Sequence, residues 1–245
     1  MQYYCNIAII IINSFKTLCF FYLFNRIELQ IMSFVEKIDL NNIINTSKTK
    51  SYLTISERNS PIGFNDFFKK IIYKPFNING KVFKKSSVND IKDILEEKIS
   101  VSAKNSIHYN YWINDMAKMS SIFCDIMGSI DISFSLGTSR GCSRYHIDNV
   151  PMRLLVTYYG QGTEWLPIDN ADYGAYSKGK DNENILKDPK KRMYLKPWHI
   201  SIFKGGSDGI LHRTPDSALK SPSLLMRLDH STFLNDIEKY NTLRL

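Results

Sequence analysis

"RYHIDNVPMRLLVTYYGQGTEWLP", Arg144 to Pro167, decides the fold of this chain. Its middle, PMRLLVTYY, is rich in β-branched and aromatic residues and stops at Gly160-Gln161-Gly162, as a strand does when it runs into a tight turn. Before it, DISFSLGTS (131–139) alternates, with Ile132, Phe134 and Leu136 on one side and Ser133 and Ser135 on the other. After it, YLKPWHISIFKGG (194–206) and SLLMRLDH (223–230) read as two more strands. Short strands parted by Gly and Pro turns, with no helices alternating between them, favour an antiparallel sandwich or barrel over a parallel α/β sheet.

Upstream of Gly128 the signals are helical. IGFNDFFKKIIYK (62–74) gathers Ile62, Phe64, Phe67, Phe68, Ile71 and Ile72 on one helical face. SSVNDIKDILEEK (86–98) places Ser87 three residues before Asp90, resembling a capping box, and aligns Ile91, Ile94 and Leu95. IHYNYWINDMAKMSSIFCDIMG (107–128) carries Ile113, Met116, Ala117, Ser120, Phe123 and Met127 at helical spacing and ends at Gly128, a stripe that reads as core packing. No period of 20 to 50 residues repeats, which argues against a solenoid. The expected architecture is α+β. An apolar extension (1–31) and a mainly helical region (32–128) precede a double-stranded β-helix core of jelly-roll or cupin-like type (129–232), and a tail (233–245) follows. The helical half packs on that core.

Composition narrows the function classes. With 43% hydrophobic and 23% charged residues the chain reads as globular. A net charge of +8 is compatible with an anionic partner. Its basic residues, however, are spread along the chain instead of clustered with aromatics, which argues against nucleic acid. KGKDNENILKDPKKR (178–192) reads as a solvated loop. Cys5, Cys19, Cys124 and Cys142 form no CxxC pair, so a reducing cytoplasm is the expected compartment, and Cys142, four residues before His146, reads as a half-buried structural thiol, with a nucleophile or fourth ligand as the alternative. The apolar stretch Ile7–Phe24 lacks a basic flank and a cleavage site, so it is a poor signal peptide. Asn13, Ser14, Lys16 and Thr17 interrupt it, and it falls short of the roughly 20 apolar residues of a membrane span. Met32 opens a normal polar start, so an overextended start is the preferred reading and a membrane anchor the alternative.

The chemistry centres on His146 and Asp148, two apart at the head of a strand and therefore able to face one way. Alone, HxD is a weak motif. His212 in GGSDGILHRTP (205–215) supplies a third member, and Arg227 follows inside an apolar strand. Two imidazoles and one carboxylate leave open positions and make the facial triad of mononuclear non-haem Fe(II) sites. The order His146-x-Asp148, His212, Arg227 resembles that of jelly-roll oxygenases that use 2-oxoglutarate. That resemblance implies Fe(II) on the three ligands and Arg227 as a bidentate fork for the remote carboxylate of 2-oxoglutarate. The fifteen-residue gap from His212 to Arg227 is longer than usual there, so Arg153 is the second candidate clamp, and Arg227 is alternatively a structural partner of Asp229. Tyr145 and Arg213, beside ligands, either support them from behind or face the substrate. Trp165 either stacks on a ligand at a pocket rim or is a core residue at a hairpin corner. His108, His199 and His230 read as hydrogen-bonded imidazoles without a metal role.

A closer resemblance spans Cys142 to Asp229. YHIDNVPMRLLVTYYGQGTEWLP, DNENIL, FKGG, LHRTP and LLMRLD together resemble a bacterial family, the domain-of-unknown-function family numbered 1826. That family carries an FHxD-type segment, an RLL-T strand, GPGTEWL, an LKG turn, HR[ST]P and a terminal RLLLTLD-like strand. Gln161 here replaces the usual proline, and the GGSDG link before His212 is short. The resemblance implies the same three ligands and a loose connection to zinc homeostasis. It therefore keeps open a zinc site of two His, one Asp and a water, with a regulatory, buffering or hydrolytic role. A non-catalytic cupin-like binding module is a third reading. The most concrete expectation is an Fe(II)/2-oxoglutarate-type oxygenase acting on a small-molecule or protein substrate that the sequence does not identify.

Overall fold

The computed structural model describes residues 34–48 and 50–236. The extension 1–31 with Cys5 and Cys19, the choice between an overextended start and an anchor, and tail residues 237–245 lie outside the described residues. Among the described residues no helix is long and apolar enough to cross a membrane.

The first half contributes strands β1 (Val35–Lys37), β2 (Leu53–Ser56) and β3 (Asn77–Phe83). Its helices are α1 (Phe64–Ile71), α2 (Ser87–Leu95), α3 (Val101–Lys104) and α4 (Ile107–Met127). The second half contributes β4 (Asp131–Gly137), β5 (Met152–Tyr159), β6 (Glu164–Trp165), β7 (Met193–Tyr194), β8 (Ile200–Lys204), β9 (His212–Arg213) and β10 (Leu224–Asp229). Its helices α5 (Tyr173–Ser177), α6 (Asn182–Ile185) and α7 (Asp216–Lys220) are each a turn or so long.

Seven strands form one sheet in the order β1-β2-β8-β5-β10-β4-β3, antiparallel except for the parallel pair β1–β2. A smaller sheet, β7-β6-β9, is continued by an isolated bridge between His146 and His212. The result is a mixed α/β molecule with a large antiparallel sheet and a jelly-roll-like core.

The alternation of β10 shows how the layers divide. Leu224, Met226 and Leu228 are fully buried in the main core with Trp112, Met116 and Phe123 of α4. Leu225, between them, packs toward the second cluster of Leu53, Ile55, Leu155, Trp165, Leu195, Phe203 and Ile210. Side chains two apart share a strand face, so Arg227 and Asp229 look the same way as Leu225, into the space between the sheets. Helix α4 ends as its sequence predicts, with Gly128 at φ 64° in the left-handed region that glycine enters freely.

The region expected to be mainly helical is only partly so. β1 and β2 extend one edge of the large sheet and β3 the other. NINGKVF could have been read as a strand, because Ile78 and Val82 alternate with polar residues and are buried in the main core. Ile62, expected on the buried helical face, is 98% exposed, because Gly63 turns the chain at φ 84° before α1 begins. The N-cap position of the helix after β3 is one residue earlier than the spacing implied, at Ser86, whose side chain bonds no helix amide. Ser86 Oγ donates to Asp90 at 3.0 Å, and the Phe83 amide donates to the same carboxylate at 2.7 Å. The 194–206 run is two strands, because Trp198 adopts φ 70° between them. Arg58 Nε donates to the Trp198 carbonyl at 2.6 Å, and its fork grips Asp115 of α4, with Nη2 to Oδ2 at 2.8 Å, which pins the helix to the sheet.

Candidate metal centre

Backbone pairing builds the site. The His146 amide donates to the His212 carbonyl at 3.0 Å, and the His212 amide returns the bond at 3.0 Å. This two-way bridge sets the rings side by side, with centroids 4.5 Å apart. Asp148 follows two residues later, and its carbonyl accepts from the Gly206 amide at 3.0 Å. A Cβ on Gly205 would collide with the carbonyl oxygens of Val150 and Asp148, so only glycine lets the β8 turn seat against the ligand loop.

One ligand atom from each of His146, Asp148 and His212 lies within 4.8 Å of the other two. His146 Nδ1 donates to the Arg144 carbonyl at 2.9 Å and His212 Nδ1 to the Ile210 carbonyl at 3.0 Å. A carbonyl only accepts, so both Nδ1 atoms carry the proton and both Nε2 lone pairs are free to coordinate. His212 Nε2 lies 3.3 Å from Asp148 Oδ2, which is buried and has no hydrogen-bond donor. Two acceptors facing each other in a buried space call for a cation between them. Burial and the neighbouring His212 lower the His146 pKa, which favours the neutral ring a metal requires. Burial opposes the charge on Asp148, while the Arg153 guanidinium beside it favours the ionised carboxylate that a metal requires. The donor set fits a divalent cation.

Behind Asp148 runs a charged relay. Arg153 donates through Nη1 to Asp148 and through Nε to Asp229 Oδ1 at 2.7 Å. Arg227 Nε lies 3.0 Å from Asp229 Oδ2, and its Nη2 donates to Ser135 at 3.3 Å. Phe233, just past β10, covers both guanidiniums, its ring centre 5.2 Å from Arg153 and 5.0 Å from Arg227. Arg153 thus serves two carboxylates, while Arg227 both pairs with Asp229 and remains a third exposed at its side chain.

Tyr145 and Arg213 sit on the opposite face of the small sheet from the ligand atoms. Arg213 forks onto Glu164 with both contacts at 3.1 Å and reaches Asp216 at 3.0 Å, and its guanidinium stacks 5.0 Å from the Tyr145 ring. The Tyr145 hydroxyl donates to the same Glu164. Glu164 is fully buried inside the GTEWLP segment. Sequence reasoning missed it, although a carboxylate directly before Trp165 and Leu166 and an arginine in HRTP were the available signals. Trp165 is 6% exposed, pairs with His212 across β6 and β9, and belongs to the core between the sheets and not to a rim. The Lys-rich run is less of a free loop than expected. Asn182 accepts from the Tyr145 amide and donates to the Ser143 carbonyl, both at 2.9 Å, and Ile185 is fully buried. His108, His199 and His230 lie outside the cluster.

No curated protein sequence matches the chain. Among solved structures it is similar to a C-terminally truncated Neurospora crassa protein in apo form, at 9% identity and TM-score 0.34, over 80% of this chain and 94% of that one. It is also similar to the Fe(II)/(alpha)ketoglutarate-dependent dioxygenase TqaL, at 10% identity and TM-score 0.34, over 70% and 75% of the two chains. A third is the dioxygenase for auxin oxidation 1 from Arabidopsis thaliana, at 11% identity and TM-score 0.33, over 80% and 93%. The family model of the protein of unknown function DUF1826 matches residues 41–229. The chain therefore belongs to the DUF1826 family.

Proposed function

We propose that the chain is a mononuclear metal-dependent oxygenase of the Fe(II)/2-oxoglutarate type, with His146, Asp148 and His212 as ligands. The observation that carries this reading is the buried Asp148 Oδ2 facing the free Nε2 of His212 at 3.3 Å with no proton donor between them. When bound there, Fe(II) would offer open coordination positions to a chelating co-substrate and to dioxygen. The backbone carbonyls of Arg144 and Ile210 orient the two imidazoles. Arg153 holds Asp148 in place and, being bonded to two carboxylates, is the weaker candidate for a co-substrate clamp. Arg227, two residues before Asp229 on β10 and partly exposed, would take the remote carboxylate of 2-oxoglutarate. Phe203, its ring 4.5 Å from His212, and Trp165 line the apolar side that keeps water from the ligands. Tyr145 and Arg213 act from behind the ligands through Glu164 and do not face the substrate.

Anaerobic addition of Fe(II) and then 2-oxoglutarate tests this reading. A weak visible charge-transfer band is expected, absent in His212→Ala. Tight zinc on the same residues, with no band and no response to 2-oxoglutarate, would replace it with a zinc-binding role that is regulatory, buffering or hydrolytic.

A further inference from the structure

A second feature lies at the end of the core away from Asp148, where the turn after β4 meets the turn after β5 and the segment after α7. Arg140 occupies this corner. Its Nη1 donates to the Gln161 carbonyl at 2.9 Å and its Nη2 to Thr163 Oγ1 at 2.8 Å, both neutral acceptors. Its Nε is buried without a hydrogen-bond partner, and among the described residues no carboxylate forms an ion pair with it. Burial drives its pKa down to about 10, against a smaller opposing effect of the Cys142 thiol. A half-buried guanidinium whose ends meet only neutral acceptors is short of a counter-charge, whereas Arg58, Arg153 and Arg213 each hold a carboxylate.

Arg140 also lines a cavity of about 250 Å³ together with Thr138, Ser139, Lys220 and Ser221, and no acidic residue lines it. Lys220 forms no ion pair among the described residues either. Close by, Ser223 Oγ is fully buried with no partner. Two cations, several hydroxyls and no carboxylate make a concave surface of one sign. The cavity is smaller than the roughly 300 Å³ at which pockets for drug-sized ligands begin, so it suits a few heavy atoms.

We propose that this corner is a binding site for a small oxyanion, a phosphate, sulfate or carboxylate group, held by Arg140 and Lys220 with hydroxyl donors from Ser139 and Ser221. The bound anion supplies the counter-charge that Arg140 lacks and ties the loop leading into His146 to the end of α7. The site does not depend on the metal reading, since none of its residues is a ligand or belongs to the relay behind Asp148.

Calorimetric titration of the full chain with inorganic phosphate, sulfate and acetate in turn tests the site. Saturable binding of at least one anion at one per chain is expected, and the order among the three identifies the source chemistry. Arg140→Gln should weaken it at least tenfold and Lys220→Gln several-fold, while Asp148→Asn should leave it unchanged even though metal binding is lost. Lys220 is exposed, so its variant reports even if Arg140→Gln fails to fold. Absence of saturable binding for all three anions, or equal affinity in the wild type and Lys220→Gln, overturns the proposal.

Discussion

The two faces of the large sheet follow opposite rules although they are made by the same strands. On the helix-facing side, Leu224, Met226 and Leu228 of β10 meet Trp112, Met116 and Phe123, and the polar anchor is Asp115, which accepts from the fork of Arg58 and from the Tyr158 hydroxyl. On the other side, the next residues along that strand, Arg227 and Asp229, join Arg153 and Asp148 in a chain of alternating charges that ends at the imidazoles. One face is apolar burial, worth about 1.5–3 kcal/mol for each large side chain. The other places charges where water is scarce, a cost accepted only when each charge has a partner. Stability and chemistry are thus divided by a one-residue alternation, not between separate domains.

The largest effect should come from the apolar face. Phe68, fully buried in α1, when changed to Ala should lower unfolding free energy by about 3–5 kcal/mol in denaturant titration. Metal stoichiometry should stay at one wherever the variant remains folded, and a loss of metal in the folded variant would show that the two faces are not independent. On the charged face, Arg153→Lys keeps the charge but loses the fork. Metal affinity by competition with a chelator should fall roughly ten- to a hundredfold, and unchanged affinity would remove Arg153 from the support of Asp148.

Cysteine chemistry separates the two regions on a smaller scale. Cys124 is buried under the helix layer and its thiol is pushed up to about 11 by burial, whereas Cys142, expected to be half-buried, is exposed on the loop before His146. Alkylation at pH 8 followed by peptide mapping should label Cys142 more than about tenfold faster, since the thiolate is the reactive form. The smallest effect is expected outside both regions. Ile62→Ser should change stability by no more than about 0.5 kcal/mol, because that side chain is 98% exposed. A larger loss would mean that Ile62 is covered in solution.

Much of the β half was legible because its strands announce themselves by period and by glycine. DISFSLG and MRLLVTYY appear as β4 and β5, the second buried on both faces over its middle five residues. Three residues scattered over 66 positions were recognisable as a set because His, x, Asp and a distal His form a chemically restricted combination. What stayed hidden depends on contacts that no local pattern encodes. β1 and β2 are three and four residues long and exist because a neighbouring strand is there to pair with them. Glu164 looks like a surface acid inside GTEWLP until Arg213 and Tyr145 close over it. The roles of the two arginines also rest on three-dimensional neighbours, since only the fold shows that Arg153 reaches both Asp148 and Asp229.

Gly205 carries a practical lesson. A single methyl group there would collide with the main-chain oxygens of Val150 and Asp148, so Gly205→Ala should displace the aspartate while every coordinating side chain keeps its identity. Mutational scans confined to the obvious triad would overlook such an off switch. A natural variant at this residue would look harmless by composition and still silence the centre.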